Sequence, residues 1–333
     1  MAEIHQPTTA NLRHLANVLA KGGLVAVPTE TVYGLAADAL QPHACRAIFR
    51  AKKRPLTDPL IIHVPSVAAA ERLAYINATA RKLMRAFWPG PLTIVLRKRS
   101  IVPAVATANG PTVAIRCPAH PVMRRLLRIC RLPLAAPSAN PFGCISPTTA
   151  AHVEAGLGER IAHIIDGGPC RVGVESTIVD LSTPARPEVL RVGGITAEEI
   201  AVVLERPVPV RNQALVAAGP VRAPGMLTRH YSPNTPLKLY ARITPSMIRR
   251  AKADEGFLLF ATPDGGIPET RAHVSILASH ARPKEAARNL FARLHTLDGA
   301  GLRQLHAELA PERGAGIAVN DRLRRAAAKR TGH

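Results

Sequence analysis

"LVAVPTETVYGL", residues 24–35, decides how the first half of the chain is read. Leu24, Val25, Ala26 and Val27 form an apolar run of the length of a buried strand. Pro28 ends it, and Thr29, Glu30, Thr31, Tyr33 and Gly34 follow at once. Turns use Gly, Pro, Asn and Asp for their backbone geometry, which does not account for two threonines around a glutamate. Thr31 therefore either holds the chain or holds a ligand.

Outward from this stretch the pattern is strand and helix in alternation. Thr8 or Thr9 caps a helix that Gly22 and Gly23 stop. Pro42 suits the first turn of a helix running to about Lys52. Ser66 and Asn77 cap two further helices. "PLIIHV", "LTIVLRK", "TVAIR", "PLAA", "AHIID", "STIVDL" and "EVLRV" read as strands. The fold class is α/β, and the close spacing of strands between 161 and 192 favours a mixed sheet over a purely parallel one. This domain covers residues 1–205. Residues 206–236 contain six prolines and little periodicity, which reads as a linker. A smaller α/β domain occupies 237–333.

Composition narrows the function. Of 44 basic residues only 9 are lysines, so the net charge of +21 reflects a compositional bias toward arginine as well as any partner. The basic end "DRLRRAAAKR" reads as a solvated helix face that admits weak RNA contact. Five cysteines without a CxxC argue for reduced thiols, and no metal-ligand set is assigned. No apolar run reaches membrane length. The N-terminus lacks a secretory pattern, so the cytoplasm is expected.

The polar residues fall at strand ends. Arg116 ends "TVAI", Arg191 interrupts "EVLRV", His63 sits in "PLIIHV", Ser138 and Asn140 follow "PLAAP", and Ser176 and Thr177 open "STIVD". A buried guanidinium needs a partner; Glu30, Glu175 and Asp166 are the acidic candidates. Several cations among short hydroxyls fit a bound anion, for which the guanidinium fork is suited. Ser146 before Pro147 reads as a helix N-cap, whose free N–H groups would offer a phosphate site.

"PTETVYGL", "KxRP…PL–H", "WPGPLT", "VAIRxPxHP", "APSAN–G–SPT", "DGG–GVESTIVD" and "LRxG" occur here in that order. As a set they resemble the YrdC-like threonylcarbamoyl-AMP synthases over about residues 10 to 205. "RHYSPNTPL" and "GAGIAVNDRLRRAA" resemble the long, two-domain form of that family. The resemblance implies a twisted sheet with a positively charged cavity and a Rossmann-like second domain. It implies that L-threonine, bicarbonate and ATP, with Mg2+, yield L-threonylcarbamoyl-AMP and pyrophosphate, which a separate transferase uses to modify tRNA. It places Thr31, His63, Arg116, Ser176 and the Ala136 backbone around threonine. It places Lys52, Arg54, Asp58, Thr112, Ser138, Ser146 and Arg191 around ATP, with Tyr231 of the linker closing over the nucleotide as a lid. The family usually has Asn at the position of Asp58, so a metal or Lys53 would have to offset this carboxylate beside a triphosphate. No general base is assigned, although Glu30 and Glu175 lie within the motifs. A carbamoyl transferase of hydrogenase maturation would carry zinc cysteines that are absent here. A non-catalytic RNA-binding or ribosome-associated module is the alternative, but it gives Thr31, Arg116 and Ser176 no purpose.

Overall fold

The computed structural model describes residues 1–211 and 230–328. They form two compact units. The first comprises Met1–Phe142, Pro147–Arg171 and the residues from Glu175 to Arg211; the second comprises Gly143–Ser146, Val172–Val174 and the residues from His230 onward.

The first unit is built on β1 (Glu3–His5), β2 (Val25–Val27), β3 (Gly34–Asp38), β4 (Ile61–His63), β5 (Leu92–Arg97), β6 (Thr112–Arg116), β7 (Leu134–Ala135), β8 (His163–Ile165), β9 (Thr177–Asp180) and β10 (Glu188–Arg191). They form one ten-stranded sheet in the order β1-β8-β2-β3-β7-β4-β6-β5-β9-β10. The β8/β2 and β4/β6 pairs are parallel, whereas β2/β3 and β5/β6 are antiparallel, so the sheet is mixed as expected. The sequence reading did not include β1 or β3. β1 has three residues, two of them exposed. β3, "GLAAD", lacks the branched and aromatic residues that mark strands.

Side chains alternate across this sheet. Leu35, Ala37, Ile62, Ile94, Val113, Ile115 and Val179 enter the main core. There they meet α2 (Pro42–Lys52), α4 (Ala78–Phe87), α6 (Ala150–Leu157) and α7 (Ala197–Leu204) through Ile48, Leu83, Val153 and Ile200. The alternate set, including Val25, Val27, Ala36, Leu134 and Ile165, packs against α1 (Thr9–Ala20) and α5 (Pro121–Cys130) through Leu12, Leu15, Met123 and Leu126. Farther along that second face a small cluster of Ile61, Val95, Ala114, Ile178 and Leu190 consists only of strand residues. His63, Thr93 and Arg116 stand two positions from Ile61, Val95 and Ala114 of this cluster, so the strands place them on the same face.

The local signals explain these elements. Thr8, Ser66 and Asn77 each accept a backbone N–H at the starts of α1, α3 (Val67–Glu71) and α4. Thr196 and Glu199 form a reciprocal capping box on α7. One expectation fails: Thr149, not Ser146, caps α6, accepting from the His152 N–H. The Pro147 carbonyl instead accepts the Tyr33 N–H at 2.8 Å, which ties that segment to the loop after β2 before the helix begins. The phosphate site inferred from a Ser146 cap is therefore withdrawn.

The second unit has β11 (Leu237–Tyr240), α8 (Pro245–Arg249), β12 (Glu255–Ala261), β13 (His273–Ala278), α9 (Pro283–Asp298), β14 (Gln304–Glu308) and α10 (Ala315–Ala327). Its sheet, ordered β11-β14-β12-β13, is parallel at every pairing. α8 and α9 connect β11 to β12 and β13 to β14, crossovers of the kind the Rossmann-like reading expects, whereas a loop joins β12 to β13. Of the linker residues, 212–229 lie outside the described residues.

Candidate active site

The loop after β2 answers the question its sequence raises. Thr29 Oγ donates to the Val32 carbonyl at 2.6 Å and accepts the Thr31 and Val32 N–H groups, so Thr29 holds the turn. Thr31 Oγ lies 2.9 Å from Thr29 Oγ. The Thr29 proton is committed to a carbonyl, so it is not donated to Thr31. Thr31 Oγ then accepts from Arg116 Nη1 at 2.9 Å. A hydroxyl oxygen has two lone pairs, and one remains on Thr31 Oγ as a fixed, buried acceptor.

Arg116 is held on three sides. Its Nη2 pairs with Glu30 Oε1 at 2.6 Å and its Nε donates to the Gly90 carbonyl of "WPGPLT". The His120 N–H donates to the other Glu30 oxygen at 3.3 Å. Burial pushes the Glu30 carboxyl up, but the Arg116 charge and hydrogen bond outweigh it and leave the group below the usual carboxylate range. Glu30 is therefore an anion that orients Arg116, as one of the three acidic candidates. His63 pairs with Arg116 across β4 and β6. Burial, reinforced by the Arg116 charge, pushes His63 down to about 3, so its imidazole is neutral at physiological pH. Its Nδ1 has no hydrogen-bond partner among the described residues.

Ser176 connects this group to Arg191. Its hydroxyl lies 2.7 Å from that of Thr93, and Arg191 Nη2 donates to the Ser176 carbonyl and hydroxyl at 3.0 and 3.2 Å. Simple alternation along "EVLR" would put Arg191 on the core face with Val189. A bulge between Val189 and Arg191 sets Arg191 opposite Ile178 and turns it onto the site face. Gly193 makes the approach possible: a Cβ there would sit 2.2 Å from the Glu175 carbonyl oxygen and 2.6 Å from the Ser176 carbonyl carbon. Thr29, Thr93 and Glu30 were not among the assigned site residues. The signal for Thr93 was a polar side chain inside the apolar run "LTIVL".

The remaining cations lie after α2. Lys52 is buried and its ammonium donates to the carbonyls of Ser138 and Asn140, which fixes the "APSAN" loop. Ala136 leads into that loop with its N–H on the Ile61 carbonyl. Arg54 Nη2 pairs with Asp58 Oδ2 at 2.9 Å, while its Nε and Nη2 donate to the Asp58 and Pro59 carbonyls. Arg54, not the exposed Lys53, therefore offsets Asp58. Burial raises the Asp58 carboxyl above its ordinary range, against the charges of Arg54, Lys52 and Arg191. Thr112 begins β6 on the same face as Arg116, about 13 Å away along the strand. It lines a 300 Å3 cavity with Pro59, Leu60, Thr107, Ser182 and Thr183.

Ser146 and Tyr231 belong to the second unit. Their segments run side by side there: the Ser232 N–H donates to the Gly143 carbonyl at 2.8 Å, with a bridge between Cys144 and Ser232. Tyr231 is buried at φ 64°, and the Arg322 guanidinium lies 5.3 Å from its ring centroid. None of the five cysteines forms a disulfide. Burial pushes the Cys170 thiol up to about 12, which makes it an inert side chain rather than a nucleophile.

A family model described as "Telomere recombination" matches residues 17–193, and one described as "Threonylcarbamoyl-AMP synthase, C-terminal domain" matches 195–328. The threonylcarbamoyl-AMP synthase of Pyrococcus abyssi is 42% identical over 330 residues, covering 96% of this chain and 94% of the relative. That of Bacillus subtilis is 37% identical, covering 95% and 92%. A crystal structure of Pyrococcus abyssi Sua5 complexed with L-threonine superposes with a TM-score of 0.89 at 37% identity, covering 98% of both chains. The chain belongs to the threonylcarbamoyl-AMP synthase family.

Proposed function

We infer that this chain is an L-threonylcarbamoyladenylate synthase that supplies its product to a separate tRNA-modifying transferase in the cytoplasm. The observation that carries the site assignment is the ensemble of Thr31, His63, Arg116 and Ser176 on one face of the sheet. In this reading, Arg116 takes the carboxylate of threonine, for which a guanidinium fork is suited. The remaining lone pair of Thr31 Oγ accepts from the ammonium or hydroxyl. Neutral His63 contributes a hydrogen-bonding imidazole without adding a charge to a site that already holds one cation.

The nucleotide then extends along the same face from Arg191 and Ser176 toward Thr112. Arg54 and Arg191 face the phosphates, and Lys52 shapes the Ser138 loop that borders them. The resemblance alone adds Ser146 and Tyr231 to the nucleotide residues, while composition supports 206–236 as a linker between domains 1–205 and 237–333. Asp58 Oδ1 has no hydrogen-bond partner among the described residues. One protein carboxylate plus substrate phosphates is a donor set that suits Mg2+, so Asp58 would hold the ion, which when bound neutralises phosphate charge.

In the reaction the threonine nitrogen forms a bond to the carbon of bicarbonate with loss of water. An oxygen of the resulting carbamate attacks the α-phosphorus, and the bond to pyrophosphate breaks. The residues act by positioning the carbamate in line and by neutralising charge. Pyrophosphate release from ATP, measured while threonine or bicarbonate is omitted in turn, tests the reading. Release that requires both supports it; release indifferent to threonine rejects it.

A further inference from the structure

A second cluster of ligating side chains lies at the far edge of the sheet. β1 pairs in parallel with β8, matching Glu3 to His163 and His5 to Ile165. Ile165 packs in the layer beneath α1, so strand alternation puts Glu3, His5 and His163 on that same face. His14 reaches the cluster from α1, with its ring centroid 5.7 Å from that of His163 and 6.1 Å from that of His5.

His5 Nε2 lies 3.1 Å from His163 Nδ1, a ligand-to-ligand separation, while Glu3 Oε1 lies 3.4 Å from the other ring nitrogen, Nδ1, which cannot bind the same ion. One ligating atom from each of Glu3, His5 and His163 falls within 4.8 Å of the others. Tetrahedral bonds of about 2.0–2.1 Å place ligand atoms about 3.3 Å apart. His5 is buried, so its imidazole is preset, whereas Glu3 is exposed and free to turn toward an ion. Imidazole and carboxylate together suit a borderline cation such as Zn2+.

We propose that Glu3, His5 and His163 bind a divalent transition metal of the zinc class, with His14 as the nearest fourth ligand. The ion clips the three-residue edge strand β1 to β8 and to α1. It serves structure rather than adenylate chemistry: β8 and the Arg116 strand are five places apart in the sheet order, on the order of 20 Å. The sequence conceals the set because its members sit at positions 3, 5, 14 and 163.

The test uses the full chain, free of any affinity tag and stripped with a chelator, titrated with Co2+ alone as a spectroscopic probe for Zn2+. The expected result is one equivalent bound with the intense visible band of a four-coordinate ion, and a rise in unfolding temperature. His163→Gln, at a half-buried position, and the surface change Glu3→Gln should each weaken binding. For the histidine the loss should be at least the roughly 100-fold that an outer partner alone can cost. Both should leave pyrophosphate release unchanged. No stoichiometric binding, binding unaltered in His163→Gln, or a thiolate charge-transfer band abolished by cysteine alkylation would each overturn the proposal.

Discussion

Replacing Arg116 with lysine separates charge from geometry at the threonine end of the site. Arg116 makes three contacts at once, to Gly90, Thr31 and Glu30. A lysine keeps the cation for Glu30 but carries one ammonium on a flexible stem and cannot hold the fork. Removing the charge outright would strand the buried Glu30 carboxylate at a cost of about 3–5 kcal/mol and confound folding with binding; lysine avoids most of that. What it loses is the charge-assisted hydrogen bonding to a planar carboxylate, about 1.5–3 kcal/mol. At 1.4 kcal/mol per factor of ten this raises the KM for threonine by roughly 10- to 100-fold. Pyrophosphate release with threonine titrated at saturating ATP measures it, beside a thermal unfolding curve to establish that the variant is folded. The KM for ATP should move far less. A folded Arg116→Lys enzyme whose threonine KM stays within about twofold of the parent would refute the assignment of the guanidinium to the threonine carboxylate.

Asp58→Asn removes the one carboxylate assigned to the ion and should raise both the KM for ATP and the Mg2+ concentration needed for half-maximal rate several-fold; a lower or unchanged value of both would place Asp58 away from the ion. The same variant should have a pH signature. Because the folded-state pKa of Asp58 is raised, its contribution to stability is intact below the ordinary carboxylate pKa and is lost as pH rises through the folded value. The stability of Asp58→Asn relative to the parent should therefore rise with pH, as denaturant titrations at several pH values would register. Ser176→Ala removes a hydroxyl shared by Thr93 and Arg191 and should cost about 1–3 kcal/mol of transition-state stabilisation, read as kcat/KM; a parental value would make Ser176 purely structural. Gly193→Ala forces a Cβ into the backbone of Glu175 and Ser176 and should destabilise the fold by about 1–3 kcal/mol or more; normal unfolding would contradict the close approach.

The legible parts of this molecule were those written in short-range signals. Caps at Thr8, Ser66 and Asn77 stand within three residues of the groups they satisfy. Polar side chains at the ends of apolar runs located His63, Arg116 and Ser176 because a strand exposes such a residue to one face with period two. The reading failed where a long-range contact overrode a local one. Ser146–Pro147 has the form of a helix start, yet Tyr33, more than a hundred residues earlier, takes the Pro147 carbonyl and delays the helix to Ala150. Lys53 is the nearest lysine to Asp58 in the sequence, but it occupies a left-handed helix terminus and points to solvent, while Arg54 turns inward.

Arg191 carries this reasoning furthest. Period-two alternation assigns it to the core side with Val189, where a guanidinium would lack water and an anion. A single extra residue in β10 turns it to the opposite face, and the Ser176 carbonyl takes both its Nε and its Nη2. That carbonyl fixes the plane of the guanidinium, and the Arg191 charge acts on Asp58 together with those of Arg54 and Lys52. Arg116 is instead paired directly with Glu30 at 2.6 Å. In the proposed function the two arginines thus divide the site: Arg116 directs its fork at a small amino acid, whereas Arg191 stands with the cations around a triphosphate. This division predicts which KM each conservative variant moves. Arg191→Lys should raise the KM for ATP about tenfold or more and leave that for threonine near the parental value, the reverse of Arg116→Lys. An Arg191→Lys enzyme that is folded by its thermal unfolding curve yet moves both constants equally would mean that Arg191 does not serve the nucleotide apart from the amino acid.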